Sequence, residues 1–193
     1  GSRKEMMSKA AVFHSWGYSV LVPDNRAHGE SDGKYIGMGW LDKDDIGLWI
    51  DWIRKRNQDV RIVLLGVSMG GATVMMAAGE NFEGVEAVID DCGYTSVWDI
   101  FADELRLLYH LPAFPILEMC RVMIRLKAGY DIKEASSINQ LKKTTVPILF
   151  IHGSDDNFVK TYMVYKNYDA KANGDKDILI VKDAGHAMAE IEN

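Results

Sequence analysis

The sequence has 193 residues, 48% of them hydrophobic, and a formal net charge of −6. That is enough chain for one domain with a sizeable core. The acidic balance, with no basic run interleaved with aromatics, argues against nucleic acid as a partner. No apolar run reaches the length of a membrane span, no signal peptide is visible, and neither repeats nor low-complexity tracts occur. Taken alone, the chain is expected to be cytoplasmic.

Arg3 to His14 carries Met6, Met7, Ala10, Ala11 and Phe13 at near-helical spacing, which predicts an amphipathic helix ended by Gly17. Tyr18 to Pro23 reads as a strand. Asp24 to Ser31 is then a polar turn at its C-terminal end, the edge where open α/β sheets build their sites. His28 in that turn is expected to bond neighbouring backbone, and Arg26 to pair with carboxylates. Gly33, Gly37 and Gly39 follow no phosphate-binding pattern, so no cofactor is expected. Leu41 to Arg56 predicts a helix with Ile46, Trp49, Ile50 and Ile53 on one face and its tryptophans in the core.

Ile62-Val63-Leu64-Leu65 reads as a buried parallel strand, and Met69 to Ala78 as a helix rich in small residues. Between them lies Gly66-Val67-Ser68-Met69-Gly70. The bare G-x-S-x-G pattern arises easily by composition, but strand, pattern and helix in this order form the context of a nucleophile elbow. Gly66 and Gly70 are expected to make room where the backbone doubles back. The Met69 N–H, at the start of the helix, is placed to meet a developing oxyanion.

Val85 to Ile89 predicts another strand, ending in Asp90-Asp91-Cys92-Gly93. From Ser96 to about Lys143 the alternation breaks into two helices, Val97 to Tyr109 and Pro115 to Lys127. Leu107, Leu108, Leu111, Phe114, Ile116, Leu117 and Met123 suit the apolar wall of a cap; the alternative is extra helices packed on the side of the domain. Val146 to Ile151 is a strand ending in His152-Gly153-Ser154-Asp155-Asp156. A helix from Thr161 to about Ala172 follows, then the strand Ile178 to Val181 and the turn Lys182 to His186.

Ser68, an acid and a histidine thus occur in the order Ser…Asp…His, each after a strand. Serine becomes a nucleophile when a neutral imidazole takes its proton, and a carboxylate fixes that imidazole's tautomer. His186 is the candidate base. Asp156 is the preferred acid, with Asp155 and the Asp90/Asp91 pair as alternatives, and His152 is expected to brace its loop. Cys92 and Cys120 lie far apart, either paired or free. No histidine and cysteine cluster has zinc-ligand spacing, so no metal is expected.

The stretches Asp24–Ser31, Gly66–Gly70, His152–Asp156 and Ala184-Gly185-His186 together resemble the α/β-hydrolase superfamily. More narrowly, Tyr35–Trp40 and Asp90–Ser96 resemble Gram-positive bacterial serine hydrolases similar to serine aminopeptidases and esterases. The resemblance implies a mostly parallel sheet flanked by helices, with a core of residues 1–95 and 144–193 and a helical cap over residues 96–143. It implies a Ser68, Asp156, His186 triad with Met69 N–H as an oxyanion donor, acting on a small acyl ester or, alternatively, a short peptide. A peptidase would hold its substrate's ammonium with acids such as Asp103, Glu104 or Glu118. A non-catalytic binding protein on the same fold is the third reading.

Members of that group often begin with a membrane anchor or export segment. Their earlier strands, and a His-Gly turn giving a second oxyanion N–H, would lie upstream of Gly1. The helix after His186 is short. The chain is therefore expected to be a fragment, with a sheet edge through which it self-associates.

Overall fold

A computed structural model describes residues 1–189, in two units, the first ending at Gly37 and the second beginning at Met38. In the first, Ser2 caps a 3-10 turn, Arg3–Met6: its hydroxyl accepts the Lys4 N–H, while Glu5 accepts the Ser2 N–H at 3.0 Å. Helix α1 (Met7–Ser15) follows, and Gly17 leaves it at φ +90°. Asp24 ties the later turn to this start. Its carboxylate accepts the Arg3 N–H at 2.6 Å and the Glu30 N–H at 3.1 Å, and these bonds hold its pKa below the usual value. His28 Nδ1 lies 2.9 Å from the Arg26 carbonyl, the local backbone contact expected of it.

Tyr18 to Pro23 is not a strand. Its alternation of side chains is right, but a strand exists only as part of a hydrogen-bonded ladder, and no described segment pairs with it. Val20 and Leu21 are exposed.

The second unit runs α2 (Asp42–Arg54), β1 (Ile62–Val67), α3 (Met69–Ala78), β2 (Val85–Asp91), α4 (Val97–Tyr109), α5 (Ile116–Ala128), α6 (Ser137–Leu141), β3 (Ile148–Gly153), α7 (Tyr162–Ala170) and β4 (Lys176–Val181). The four strands form one parallel sheet in the order β1-β2-β3-β4. Parallel neighbours require crossovers, which the intervening helices supply. The register sets Gly66 beside Asp90 and Asp91 beside Ile151, so the C-terminal ends of β1, β2 and β3 come together.

Helix α3 is buried from Gly71 to Ala78. Its Ala72 packs with Met76, Val97, Ile132 and Met163, while Val74, Met75 and Ala78 join Val88, Ile148 and Phe150. A helix apolar all round belongs inside, and small residues let it approach the sheet closely.

Helix α2 departs from expectation. Its buried face passes through Lys43, Gly47 and Ile50, spaced i, i+4, i+7, because the Lys43 ammonium reaches Glu80 near the end of α3 at 2.9 Å. Trp49 and Trp52 consequently turn outward, 37% and 43% exposed, and the Arg56 guanidinium stacks over the Trp52 ring at 3.4 Å.

Ser96 caps α4, Ser136 caps α6, and the two residues pair antiparallel, pinning together the ends of the α4–α5 segment. Within it, Arg121 forks onto the buried Asp131 carboxylate through Nε at 2.7 Å and Nη2 at 2.6 Å. That contact, opposed by burial, holds the Asp131 carboxyl below its usual range. Such stabilisation is complete above the unfolded carboxylate pKa near 4 and is lost as pH falls through the lower folded value. Arg121→Ala is therefore expected to lower Tm by about 5 °C at neutral pH. Thermal melts from neutral to strongly acidic pH should show that gap closing on the acid side.

Among the described residues, no helix is long and apolar enough to cross a membrane.

Candidate active site

Ser68 occupies the turn between β1 and α3 at φ +56° and ψ −116°. A non-glycine residue there is strained, by about 1–3 kcal/mol, and persists because its surroundings hold it. The Ser68 N–H donates to the Asp91 carbonyl at 2.8 Å, and the Ser68 carbonyl accepts the Ala72 N–H at 3.0 Å. Gly66 is needed for this approach, since a Cβ on it would stand 2.0 Å from the Gly70 carbonyl oxygen. Gly70 itself does not behave as expected: a Cβ there would meet nothing within 4 Å. It lies in the first turn of α3, beyond the tight approach, with its own Cβ direction open. Met69 opens α3, so its N–H is among the donors a helix leaves without an intrahelical acceptor.

His186 comes from the turn after β4, 118 positions from Ser68. Its Nε2 lies 2.9 Å from Ser68 Oγ, and its Nδ1 lies 2.7 Å from Asp156 Oδ2. The carboxylate can only accept, so Nδ1 carries hydrogen, leaving a neutral imidazole's Nε2 lone pair for the serine hydroxyl. The Phe158 ring packs edge-on against the imidazole, centroids 5.0 Å apart.

Asp156 follows β3, its side chain fully buried. Oδ1 accepts the Phe158 and Val159 N–H groups, both at 2.9 Å. Burial works against its charge, but the bonds from His152 and His186 and the charges of both outweigh that and hold its pKa down at about 2. Of the four carboxylates the sequence offers, this is the one whose oxygen meets His186. Asp155 is exposed, and its N–H is turned to the Ala184 carbonyl. Asp90 and Asp91 are buried at the end of β2, with Asp90 Oδ1 accepting the Gly93 N–H at 2.9 Å.

One residue has more contact with this centre than sequence reasoning assigned. His152 Nε2 lies 2.7 Å from the Val159 carbonyl, the bracing bond expected, and also 3.3 Å from Asp156 Oδ2. Its position four residues before Asp156 was the available signal. Glu104, from α4, has Oε1 buried with no hydrogen-bond partner. Burial raises its pKa, Asp103 adds to this, and Lys160 and His186 oppose it. Asp103 accepts the Tyr162 hydroxyl at 2.8 Å, whereas Glu118 is engaged with Lys133 and Arg121.

Both cysteines are free. Cys92 brings its sulfur within 4.8 Å of donor atoms on Asp156 and His186, a proximity that residues from three separate loops hide from spacing rules. Asp156 and His186 are already bonded to each other. Burial, with Asp91 and Asp90 alongside, raises the thiol's pKa and keeps it protonated. That cluster is accounted for without an ion.

A parallel sheet flanked by helices, with a strained serine on the turn into the helix after β1, is the α/β-hydrolase fold. The Pyrococcus furiosus esterase Pf2001 shares it, with a TM-score of 0.77 and 23% identity over 99% of this chain and 73% of that one. So does the Paleococcus ferrophilus monoacylglycerol lipase, with a TM-score of 0.69 and 18% identity over 98% and 83%. The family model described as X-Pro dipeptidyl-peptidase (S15 family) matches residues 1–111, and the chain belongs to that family. The uncharacterised Bacillus subtilis protein YqkD is 32% identical over 184 residues, which are 94% of this chain and 60% of YqkD. The chain thus spans less than two thirds of that curated relative's length.

Proposed function

We propose that this chain carries the catalytic core of a serine hydrolase that works through an acyl-enzyme. The observation that supports this best is the continuous line of hydrogen bonds from Asp156 through His186 to Ser68. In this reading Ser68 Oγ attacks a carbonyl carbon as its proton passes to His186 Nε2. The tetrahedral oxyanion is met by the Met69 N–H, with the N-terminal end of α3 behind it. His186 then gives the proton to the leaving group, and water attacks the acyl-enzyme by the reverse steps. Asp156 stays ionised throughout, as its low pKa requires.

A carboxylic ester is the substrate class we favour. The α4–α5 segment presents Leu107, Leu108, Leu111, Phe114 and Met123 as exposed apolar side chains. Its α4 also carries Glu104, whose charge interacts with that of His186, which suits a cap that receives an acyl chain. A peptidase is the second reading, favoured by the family description and by that same Glu104, an acid near His186 able to face a substrate ammonium.

Nitrophenyl esters of increasing acyl length, set against aminoacyl and X-Pro amides, separate the two. Esterase activity predicts kcat/KM rising with acyl length and little turnover of the amides; the reverse ranking would overturn the ester assignment. Asp156→Asn is expected to lower kcat by about 10⁴-fold, since an amide both loses the charge and favours the wrong tautomer of His186. Steady-state turnover beside a fold check by circular dichroism measures it.

A further inference from the structure

The loop that holds Asp156 also sets one large side chain beside His186. The Phe158 and Val159 N–H groups both reach Asp156 Oδ1 at 2.9 Å, and the Val159 carbonyl accepts the His152 Nε2 hydrogen at 2.7 Å. Val159 is fully buried and packs with Ala72, Ile100 and Met163. Its neighbour Phe158 does not join that core. The Phe158 ring is 47% exposed, and what is covered packs against the His186 imidazole, centroids 5.0 Å apart and planes inclined at 61°. Rings so inclined meet edge to face, so the phenyl does not seal the imidazole and keeps surface open to another group. The far end of the same loop is tied to the α4–α5 segment. Four residues after Phe158, the Tyr162 hydroxyl at the start of α7 donates to Asp103 Oδ2 on α4 at 2.8 Å. An aromatic ring with open surface therefore touches the candidate base, on a loop fixed at both ends.

We propose that Phe158 binds the leaving group of the substrate and selects esters of aromatic alcohols. The inference rests on the serine hydrolase reading, and the side of the substrate concerned follows from that reaction. In the tetrahedral intermediate the attacked carbon carries Ser68 Oγ, the oxyanion, the acyl chain and the leaving oxygen. The oxyanion is turned to the Met69 N–H. The leaving oxygen takes the proton held on His186 Nε2, so it must come within about 3 Å of that nitrogen. Its bond to the acyl carbon then breaks, the alcohol departs with the proton, and the acyl group stays on Ser68 Oγ. Whatever the leaving oxygen carries is consequently laid beside the imidazole, where Phe158 stands. The acyl chain has no such tie to the base. An aromatic ring on the alcohol gains an offset or edge-to-face contact with Phe158 and removes apolar surface of both rings from water. A short aliphatic alcohol covers little of the phenyl. Backbone bonds to Asp156 fix the loop before the substrate arrives, so binding has little of it left to order. Those bonds come from N–H groups and not from the ring, and they survive replacement of the side chain.

In the full chain, a fluorophosphonate probe labels Ser68 if the hydrolase reading holds, and Ser68→Ala removes the label. With that in place, benzyl acetate and ethyl acetate make the test, since their alcohols are of similar acidity and differ in the ring. The unaltered protein is expected to show a kcat/KM for benzyl acetate about 10-fold above that for ethyl acetate. Phe158→Ala should remove most of this preference, Phe158→Leu should keep part of it, and Phe158→Tyr nearly all. Benzyl alcohol, as a product inhibitor, should bind Phe158→Ala about 10-fold more weakly. Ethyl acetate, butyrate and hexanoate should change by one common factor in Phe158→Ala, because the acyl chain lies elsewhere. A ring that merely supported His186 would lower kcat for every ester alike. A benzyl-to-ethyl ratio unmoved in Phe158→Ala, a loss that grows with acyl length, or labelling of Ser68 without a preference for benzyl acetate would each overturn the proposal. No labelling of the unaltered protein would sink the hydrolase reading and this inference with it.

Discussion

Ser68→Ala is expected to lower turnover by a factor on the order of 10⁶ while leaving the chain folded. The size of the effect follows from how the centre is connected. His186 Nε2 has Ser68 Oγ as its partner at 2.9 Å, and Asp156 acts on the reaction only through His186. Without the hydroxyl, the base has no proton to take and the remaining groups act on water alone. Alanine at φ +56° keeps the strain that serine bears, so its Tm should stay close to that of the unaltered protein. Ser68→Gly should be equally inactive but more stable, by about 1 kcal/mol or more, because glycine reaches that backbone conformation without strain. Paired activity and melting curves for the two variants test both halves. Equal Tm values would show that the turn is not strained, and a Ser68→Ala protein that still hydrolyses esters would remove Ser68 from the mechanism.

Gly66→Ala should cost more stability than any other glycine-to-alanine change at this turn, about 3 kcal/mol or more. The added methyl carbon would stand 2.0 Å from the Gly70 carbonyl oxygen and 2.7 Å from the Gly71 nitrogen. Both are backbone, so no side-chain rotation relieves the clash; either α3 moves away from β1 or the turn opens, and Ser68 moves with it. For a chain of this length that is a fall in Tm of roughly 10 °C. Gly70→Ala is the control. Nothing lies within 4 Å of its added carbon, and alanine is the better helix former by about 1 kcal/mol, so Tm should hold or rise. Chemical denaturation of the two variants side by side reads the contrast. Equal losses would mean that the glycines serve the pattern rather than the geometry.

Local order explains how much was legible beforehand. The bounds of α3 and α4 match their sequence expectation residue for residue, because apolar spacing and a capping serine such as Ser96 act within a turn or two of chain. Runs such as Ile62–Leu65 and Val146–Ile151 announced strands for the same reason, but the burial expected of the first holds only for Ile62: β1 stands at one end of the strand order, and Val63 is exposed. Ser68, Asp156 and His186 were selected by their place after successive strands, and in a parallel sheet all such places share one edge. What failed was whatever depended on a neighbour distant in sequence. Tyr18–Pro23 has a strand's composition but no ladder, and the outward turn of Trp49 and Trp52 is decided by the reach of Lys43 to Glu80. Gly66 and Gly70 look equivalent within the pattern, yet only Gly66 faces backbone at contact distance.

The sequence by itself determined the order of elements, the parallel sheet they imply and the residue types gathered at its edge, since propensity, periodicity and turn chemistry are properties of short stretches. The tertiary structure alone decided which carboxylate meets His186, because Asp155 and Asp156 are adjacent in sequence and only burial and two backbone N–H groups turn one of them inward. It also decided that His152 stands behind that carboxylate, its Nε2 3.3 Å from Asp156 Oδ2, and that Asp90 is buried on the neighbouring strand β2, whose residues pair with those of β3 some 60 positions later. Register between distant strands is fixed by the packed core as a whole, and no local pattern encodes it.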